Sequence, residues 1–67
     1  MESEKQVEII RNQLIELGRE VAVQHTTTQF PDWCLFKIGI HKVQGLPYDG
    51  AYYEALLEST LNSNESD

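Results

Sequence analysis

The chain has 67 residues, with eleven Asp and Glu against five Lys and Arg, so its formal net charge is −6. The length allows one domain at most, and the acidity repels nucleic-acid phosphates, which leaves proteins as the favoured partners. Neither a secretory signal nor an apolar run long enough to span a bilayer is visible. The single cysteine, Cys34, cannot close an intrachain disulfide and suits a reducing compartment. We therefore expect a cytoplasmic domain without membrane contact.

The first predicted element is a helix over residues 3 to about 17. Its apolar residues are Val7, Ile10, Leu14 and Leu17, and Val21 continues the series. Intervals of three and four place these residues on one side of a helix. The same spacing is that of a coiled coil, but it lasts two heptads, where a convincing coiled coil has three or four. Gly18 is expected to end the helix, and Ile9 lies on another face, as a stray exposed residue or as a second contact.

Residues 21–43 are predicted to form an antiparallel β-hairpin. The β-branched side chains of residues 21–28 favour extended backbone, and Pro31 keeps Phe30 out of helical space, which predicts a turn at residues 29–32. As a strand, residues 33–43 place Cys34, Phe36, Ile38 and Ile40 on the core face. The other face carries Trp33, Leu35, Lys37, Gly39, His41 and Val43. The alternative is a buried helix that begins at Pro31, with Gly39 weakening its interior.

A loop at residues 44–50, with glycine and proline, precedes a second predicted helix over residues 50 to about 61, capped by Asp49. One side of this helix carries Tyr52, Tyr53, Leu56, Leu57, Thr60 and Leu61, and the opposite side carries Glu54 and Glu58. Residues 62–67 are predicted to form a disordered acidic tail. The predicted fold is therefore α+β, a single small helix–β-hairpin–helix domain at residues 1–61. The alternative is an all-α three-helix domain.

No motif for catalysis, metal binding or nucleotide binding stands out. The candidate metal ligands His25, Cys34 and His41 are nine and seven residues apart, whereas structural zinc sites use four ligands with short Cys or His pairs. Cys34 lies in an apolar stretch, which raises the pKa of a thiol and makes it a poor nucleophile. We therefore expect neither an enzyme nor a bound cofactor or metal.

The outer face of the predicted hairpin leaves apolar side chains uncovered, and a two-stranded ribbon is not stable alone. A second copy would cover them, so we expect a homodimer that acts as a protein-binding module, regulating or inhibiting a partner protein. The candidate partner-binding residues are Trp33, Leu35, Tyr48, Tyr52, Glu54 and Glu58. Small acidic inhibitors from phages and other mobile elements are comparable in size and charge alone.

The alternative function is that of a small DNA-binding transcriptional regulator. Lys37, His41 and Lys42 lie close together in the sequence, and basic residues beside aromatic ones are typical of nucleic-acid surfaces. The last predicted helix, however, has acidic residues and no Lys or Arg, which is the wrong sign for entering a groove. The sequence therefore favours a protein partner over nucleic acid.

Overall fold

The computed structural model describes residues 2–65, and over those residues the chain forms three α-helices and no strand. The helices are α1 (Glu2–Val23), α2 (Asp32–Val43) and α3 (Gly50–Glu65). The domain is therefore all-α, and the predicted α+β fold with a β-hairpin at residues 21–43 is wrong. The alternative interpretation, a three-helix domain, describes the observed architecture.

Helix α1 continues through the residues that the sequence assigns to the first strand of the hairpin. Ala22 is only 3% exposed and belongs to the core, and the partly buried Val21 packs against that core. The preference of β-branched residues for strands is weak, and burial of one helix face outweighs it here. The threonines follow in a loop, where the N–H of Thr28 donates to Oγ1 of Thr26 at 3.1 Å and stabilises a turn.

The predicted second strand is helix α2, and Pro31 determines where it begins. Pro31 is the N-cap residue, in an extended conformation with φ −69° and ψ 166°, and its carbonyl oxygen accepts the N–H groups of Cys34 and Leu35 at 3.0 Å each. Proline has no N–H to satisfy, so the start of a helix tolerates it well. Asp32 in the first turn interacts favourably with the positive end of the helix dipole. Pro31 is thus as compatible with a helix start as with the predicted turn.

Burial along α2 follows the period of a helix. The buried residues are Cys34, Leu35, Ile38 and Gly39. This pattern repeats every three to four positions, whereas a strand would bury every second residue. Leu35 and Gly39, which the strand interpretation places on the outer face, belong to the core. Phe36 and Ile40, which it places on the core face, are only partly buried.

Two glycines allow α1 and α2 to cross at close range. A Cβ atom on Gly18 would lie 1.9 Å from the carbonyl oxygen of Leu35, and one on Gly39 would lie 2.0 Å from the carbonyl oxygen of Leu14. Both obstructing atoms belong to the backbone, so only a residue without a side chain permits this approach. Gly18 therefore marks the crossing of the two helices, and the prediction that it ends α1 is wrong.

The core is small, and α3 joins it mainly through one aromatic side chain. The buried apolar residues are Ile15, Ala22, Phe30, Cys34, Leu35, Ile38 and Tyr53. Tyr53 is fully buried, and the partly buried Leu57 packs against the core. Asp49 caps α3 as predicted, since its Oδ1 accepts the N–H of Tyr52 at 3.3 Å.

The last helix extends to Glu65, beyond the predicted end near Leu61. Residues 62–65 of the predicted disordered tail therefore belong to α3, and Ser66 and Asp67 lie outside the described residues. None of the three helices, over the part of the chain that the structure describes, is both long and apolar enough to cross a membrane.

Helix α1 is longer than its neighbours can cover. Its 22 residues span about 33 Å, whereas the 12 residues of α2 span about 18 Å. Every residue from 3 to 13 is exposed, and burial along α1 begins at Leu14 and Ile15. We call residues 3–13 the arm.

Candidate partner-binding surfaces

The arm exposes three large aliphatic side chains. Val7 is 66% exposed, Ile9 is 55% exposed and Ile10 is 56% exposed. Val7 and Ile10 lie about 60° apart around the helix, whereas Ile9 lies about 160° from Val7. The side formed by Val7 and Ile10 continues into Leu14, which is partly buried at the edge of the core. Clustered exposed apolar side chains mark contact surfaces, and this side of the arm is such a cluster.

Polar and charged residues border the apolar side of the arm. Glu4 and Arg11 lie along one edge, about 20° apart around the helix, and Gln6 and Gln13 lie along the other. The charged edge therefore carries Glu4 and Arg11 about two turns apart, with Glu8 beside them. This arrangement suits a partner that is itself an amphipathic helix.

A second feature is the aromatic cluster, which consists of Tyr48, Tyr52, Tyr53, His25 and His41 and joins α3 to the other helices. Tyr53 is its centre, with ring centroids 5.6 Å from Tyr48, 5.3 Å from Tyr52 and 5.4 Å from His41. The Tyr53 hydroxyl forms a hydrogen bond with Nδ1 of His41. His25, in the loop after α1, stacks on Tyr48 with ring centroids 4.7 Å apart and planes at 10°. These contacts hold α3 against the pair formed by α1 and α2.

Burial favours the protonated form of two hydroxyls in the cluster, those of Tyr48 and Tyr53. It raises the pKa of Tyr53 to about 12, and neighbouring ionisable groups, Cys34 first, act in the same direction. Burial also raises the pKa of Tyr48, with Glu54 as the largest electrostatic contribution. The Tyr48 hydroxyl is buried and has no hydrogen-bond partner among the described residues. Neither hydroxyl can serve as a base near neutral pH.

Cys34 is poorly placed for nucleophilic catalysis. Its side chain is fully buried, and burial raises its pKa, against a smaller lowering by Lys37. Its Sγ lies 4.0 Å from the carbonyl oxygen of Tyr53, and a protonated thiol is a weak nucleophile. The cavity beside the aromatic cluster has a volume of about 120 Å³, below the roughly 300–1,000 Å³ of small-molecule sites. Within residues 2–65, no three His, Cys, Asp or Glu side chains are grouped as metal ligands.

The predicted partner-binding residues divide into core and surface positions. Leu35 is 4% exposed and belongs to the core. Trp33 and Tyr48 are partly buried and pack against the core. Tyr52 is 47% exposed, and its ring, like that of Tyr48, packs against Tyr53 in the aromatic cluster. Trp33 takes part in none of the aromatic ring pairs of the described residues.

The two predicted acidic residues lie on the surface of α3. Glu54 and Glu58 are both exposed, and Oε1 of Glu54 accepts a hydrogen bond from the Thr28 hydroxyl at 2.9 Å. Tyr52 lies about 160° from Glu54 around α3, so these residues occupy different sides of the helix. The structure therefore does not bring the predicted residues together into one patch.

The basic residues of the DNA-binding alternative do not form one surface either. Lys37 and Lys42 are exposed but point about 140° apart around α2. The ring of His41 contacts Tyr53, and its centroid lies 6.1 Å from that of Tyr52. The geometry thus gives the DNA-binding alternative no further support.

Sequence reasoning placed Val7 and Ile10 on one side of the first helix but did not identify the arm. Spacing identifies which residues share a side of a helix, but it does not show whether another element covers that side. The length of α1 is the signal that could have identified the arm. A first helix that includes residues 18–23 is longer than one short helix can cover. The contacts of His25 and His41 with tyrosines far along the chain left no sequence signal.

No protein-family model, curated protein or solved structure matches this chain. The arm and the exposed edge of the aromatic cluster at Tyr52 both combine large exposed apolar or aromatic side chains with polar neighbours.

Proposed function

We propose that the chain is a non-enzymatic protein-binding module that forms a homodimer and regulates or inhibits a partner protein. The observation that carries this proposal is the exposure of Val7 and Ile10 on an arm that neither α2 nor α3 covers within residues 2–65. Burial of such residues by a second polypeptide is favourable, because it removes their apolar surface from water. A reducing cytoplasmic setting agrees with the buried free thiol of Cys34.

The arm and Tyr52 would serve different contacts. Val7 and Ile10 form an aliphatic surface on a helix, which suits self-association with an identical helix. Tyr52 is nearly half exposed, and tyrosines held by neighbouring rings are frequent anchors in protein interfaces. With Tyr48 and Trp33 partly exposed on the same small domain, Tyr52 is the most accessible of the predicted aromatic contacts.

The proposal is tested by measuring mass in solution and then binding. Light scattering after size exclusion should give about twice the 7.7 kDa of one chain, with a dimer fraction that rises with concentration. A chain that stays monomeric at every concentration, with a cooperative melt, would contradict self-association.

The partner contact is tested with immobilised protein and a lysate of the cells that make it. A retained protein should be identified, purified and shown to bind the Tyr52→Ala variant at least about tenfold more weakly. Ser59→Ala, at an exposed position on the same helix, is the matched control. Equal binding by Tyr52→Ala and Ser59→Ala would remove Tyr52 from the interface.

A further inference from the structure

We infer that two copies of the chain pair through their arms in antiparallel order, about a twofold axis that passes between Val7 and Ile10. This inference rests on the proposed homodimer and adds the surface, the orientation and the register. In this register, residue i of one copy lies opposite residue 17−i of the other. Val7 of each copy therefore packs against Ile10 of its partner.

The apolar side of the arm fits this arrangement. Val7 and Ile10 are spaced by three residues and are both more than half exposed, so two symmetric layers of Val7 and Ile10 form around the axis. Leu14, partly buried at the edge of the core, closes each end of the contact. Ile9 points away from the partner in this geometry, because it lies on another side of α1.

Charge complementarity selects the antiparallel orientation. Glu4 and Arg11 occupy equivalent edge positions of successive heptads, on the same side of the apolar surface. In antiparallel helices, such edge positions lie along the same edge of the contact. Glu4 of each copy therefore lies beside Arg11 of the other, two residues along the axis from the directly opposite position, and symmetry makes the pair occur twice. In a parallel pair, Arg11 would face Gln6 instead, and Glu4 would have no basic partner.

The net charge favours the same orientation. Each copy carries a formal charge of −6, so two cores placed side by side repel each other. In the antiparallel register, the two Gly18 positions are about 28 Å apart along the helix axis. That separation exceeds a Debye length at physiological ionic strength, about 8 Å, so repulsion between the cores is largely screened. A parallel pair would place the two cores next to each other.

The first experiment locates the surface by sedimentation equilibrium of the full chain. We expect Ile10→Gln to weaken dimerisation at least about tenfold, because each dimer loses two buried isoleucines. The matched control is Ile9→Gln, at a position with the same exposure on another side of the helix, and it should change dimerisation less than about threefold. Circular dichroism of both variants confirms that they fold, since residues 3–13 lie outside the core. A dimer that Ile10→Gln leaves intact would overturn the inference.

The second experiment tests the orientation with two charge variants, Arg11→Glu and Glu4→Arg. Alone, each variant has like charges facing each other in the antiparallel register, so each should dimerise about tenfold more weakly than the unchanged chain. In a mixture, both facing pairs are again opposite in charge, and we expect a preferred heterodimer.

The outcomes separate this inference from the proposed function. Preferential heterodimer formation supports the antiparallel register. If the unchanged chain dimerises but the mixture shows no preferred heterodimer, the register is wrong and the homodimer stands. A monomer at all concentrations overturns the register and the proposed homodimer together.

Discussion

A methyl group at Gly18 probes the close crossing of α1 and α2. In Gly18→Ala, the new Cβ would lie 1.9 Å from the carbonyl oxygen of Leu35 and 2.8 Å from its carbonyl carbon. A carbon–oxygen contact needs about 3.3 Å, so one helix has to move by about 1.4 Å. Because the obstructing atoms are backbone, no side-chain rotation relieves the clash. We expect the two helices to separate.

Two opposing effects set the size of the change. Alanine is favoured over glycine in a helix interior by about 1 kcal/mol. Overpacking a core costs about 1–3 kcal/mol, and a gap of only about 0.5–1 Å between facing atoms already forfeits a quarter to a half of their dispersion energy. The crossing holds most of this small core, so we expect the free energy of unfolding to fall by about 2–3 kcal/mol. That is a large part of the roughly 3–10 kcal/mol available to a chain of this length.

Urea unfolding followed by circular dichroism, at one fixed protein concentration, measures this loss. With a denaturant dependence of about 1 kcal/mol/M, the midpoint should fall by about 2–3 M. Gly39→Ala, whose Cβ would lie 2.0 Å from the carbonyl oxygen of Leu14, should lose a similar amount. The double variant should lose less than the two single losses together, because separated helices leave room for the second methyl group.

Ala55→Gly is the matched control, because Ala55 is exposed on α3 and no helix crosses there. This substitution should cost about 1 kcal/mol, which reports the ordinary preference of a helix for alanine in this protein. The reasoning would be refuted if Gly18→Ala raised the free energy of unfolding by the same amount. Such a result would mean that the two helices do not touch at Gly18.

Three further substitutions or reactions test the aromatic cluster and the core. Because the folded-state pKa of Tyr53, about 12, lies above its ordinary value of 10.0, the stability tied to its protonated hydroxyl is complete below about pH 10 and is lost towards pH 12. In urea titrations, the advantage of the unchanged chain over Tyr53→Phe should shrink by about 1 kcal/mol between about pH 9 and 11, and a constant difference would contradict this. Cys34 should react slowly with iodoacetamide until denaturant is added, since its side chain is fully buried; rapid native labelling would place the thiol at the surface. Tyr48→Phe removes a buried hydroxyl without a partner among the described residues and should raise stability by up to about 1 kcal/mol, whereas a clear loss would reveal a hydrogen bond.

The two outer helices could be predicted from sequence because their cues are local. Intervals of three and four residues define one side of α1, and Asp49 is a capping residue whose Oδ1 accepts the N–H of Tyr52 at the start of α3. The ends of these helices were harder to predict. Gly18 has the residue type of a helix stop, and only the approach of Leu35 from another helix explains why it lies in the middle of α1.

The middle of the chain could not be predicted because two local preferences there compete with tertiary packing. Val21 and Val23 prefer strands, yet Ala22 between them is buried in a helix face. In α2, the run of apolar residues satisfies both periods, and Gly39 argues against a helix interior on propensity alone. The close approach of the Leu14 backbone to Gly39 requires a glycine at this position of the helix. A local sequence pattern does not reveal such a contact between two helices.

The candidate site was predictable in part for the same reason. Aromatic residue type drew attention to Tyr48 and Tyr52, which lie in the aromatic cluster, but assignment to a strand face made Leu35 a surface residue, and a helix buries it. The pairing of His41 with Tyr53 joins two elements whose packing angle the sequence does not specify. The arm is exposed because α1 is longer than α2. That difference in length emerges only when residues 21–23 are assigned to α1 and not to a strand.

The arm also sets how strong its pairing can be. A helix of this length is marginal in water alone, although the anchored half of α1 supplies the nucleus, so that each further residue only propagates the helix. Covering the exposed parts of Val7 and Ile10 contributes about 1 kcal/mol for each side chain, or about 4 kcal/mol in a symmetric pair. The loss of translational and rotational freedom costs a comparable amount or more. Arm pairing must therefore be weak and concentration-dependent unless Leu14 and the edge charges add to it, so a partner able to cover these residues more completely would compete with the second copy for the arm.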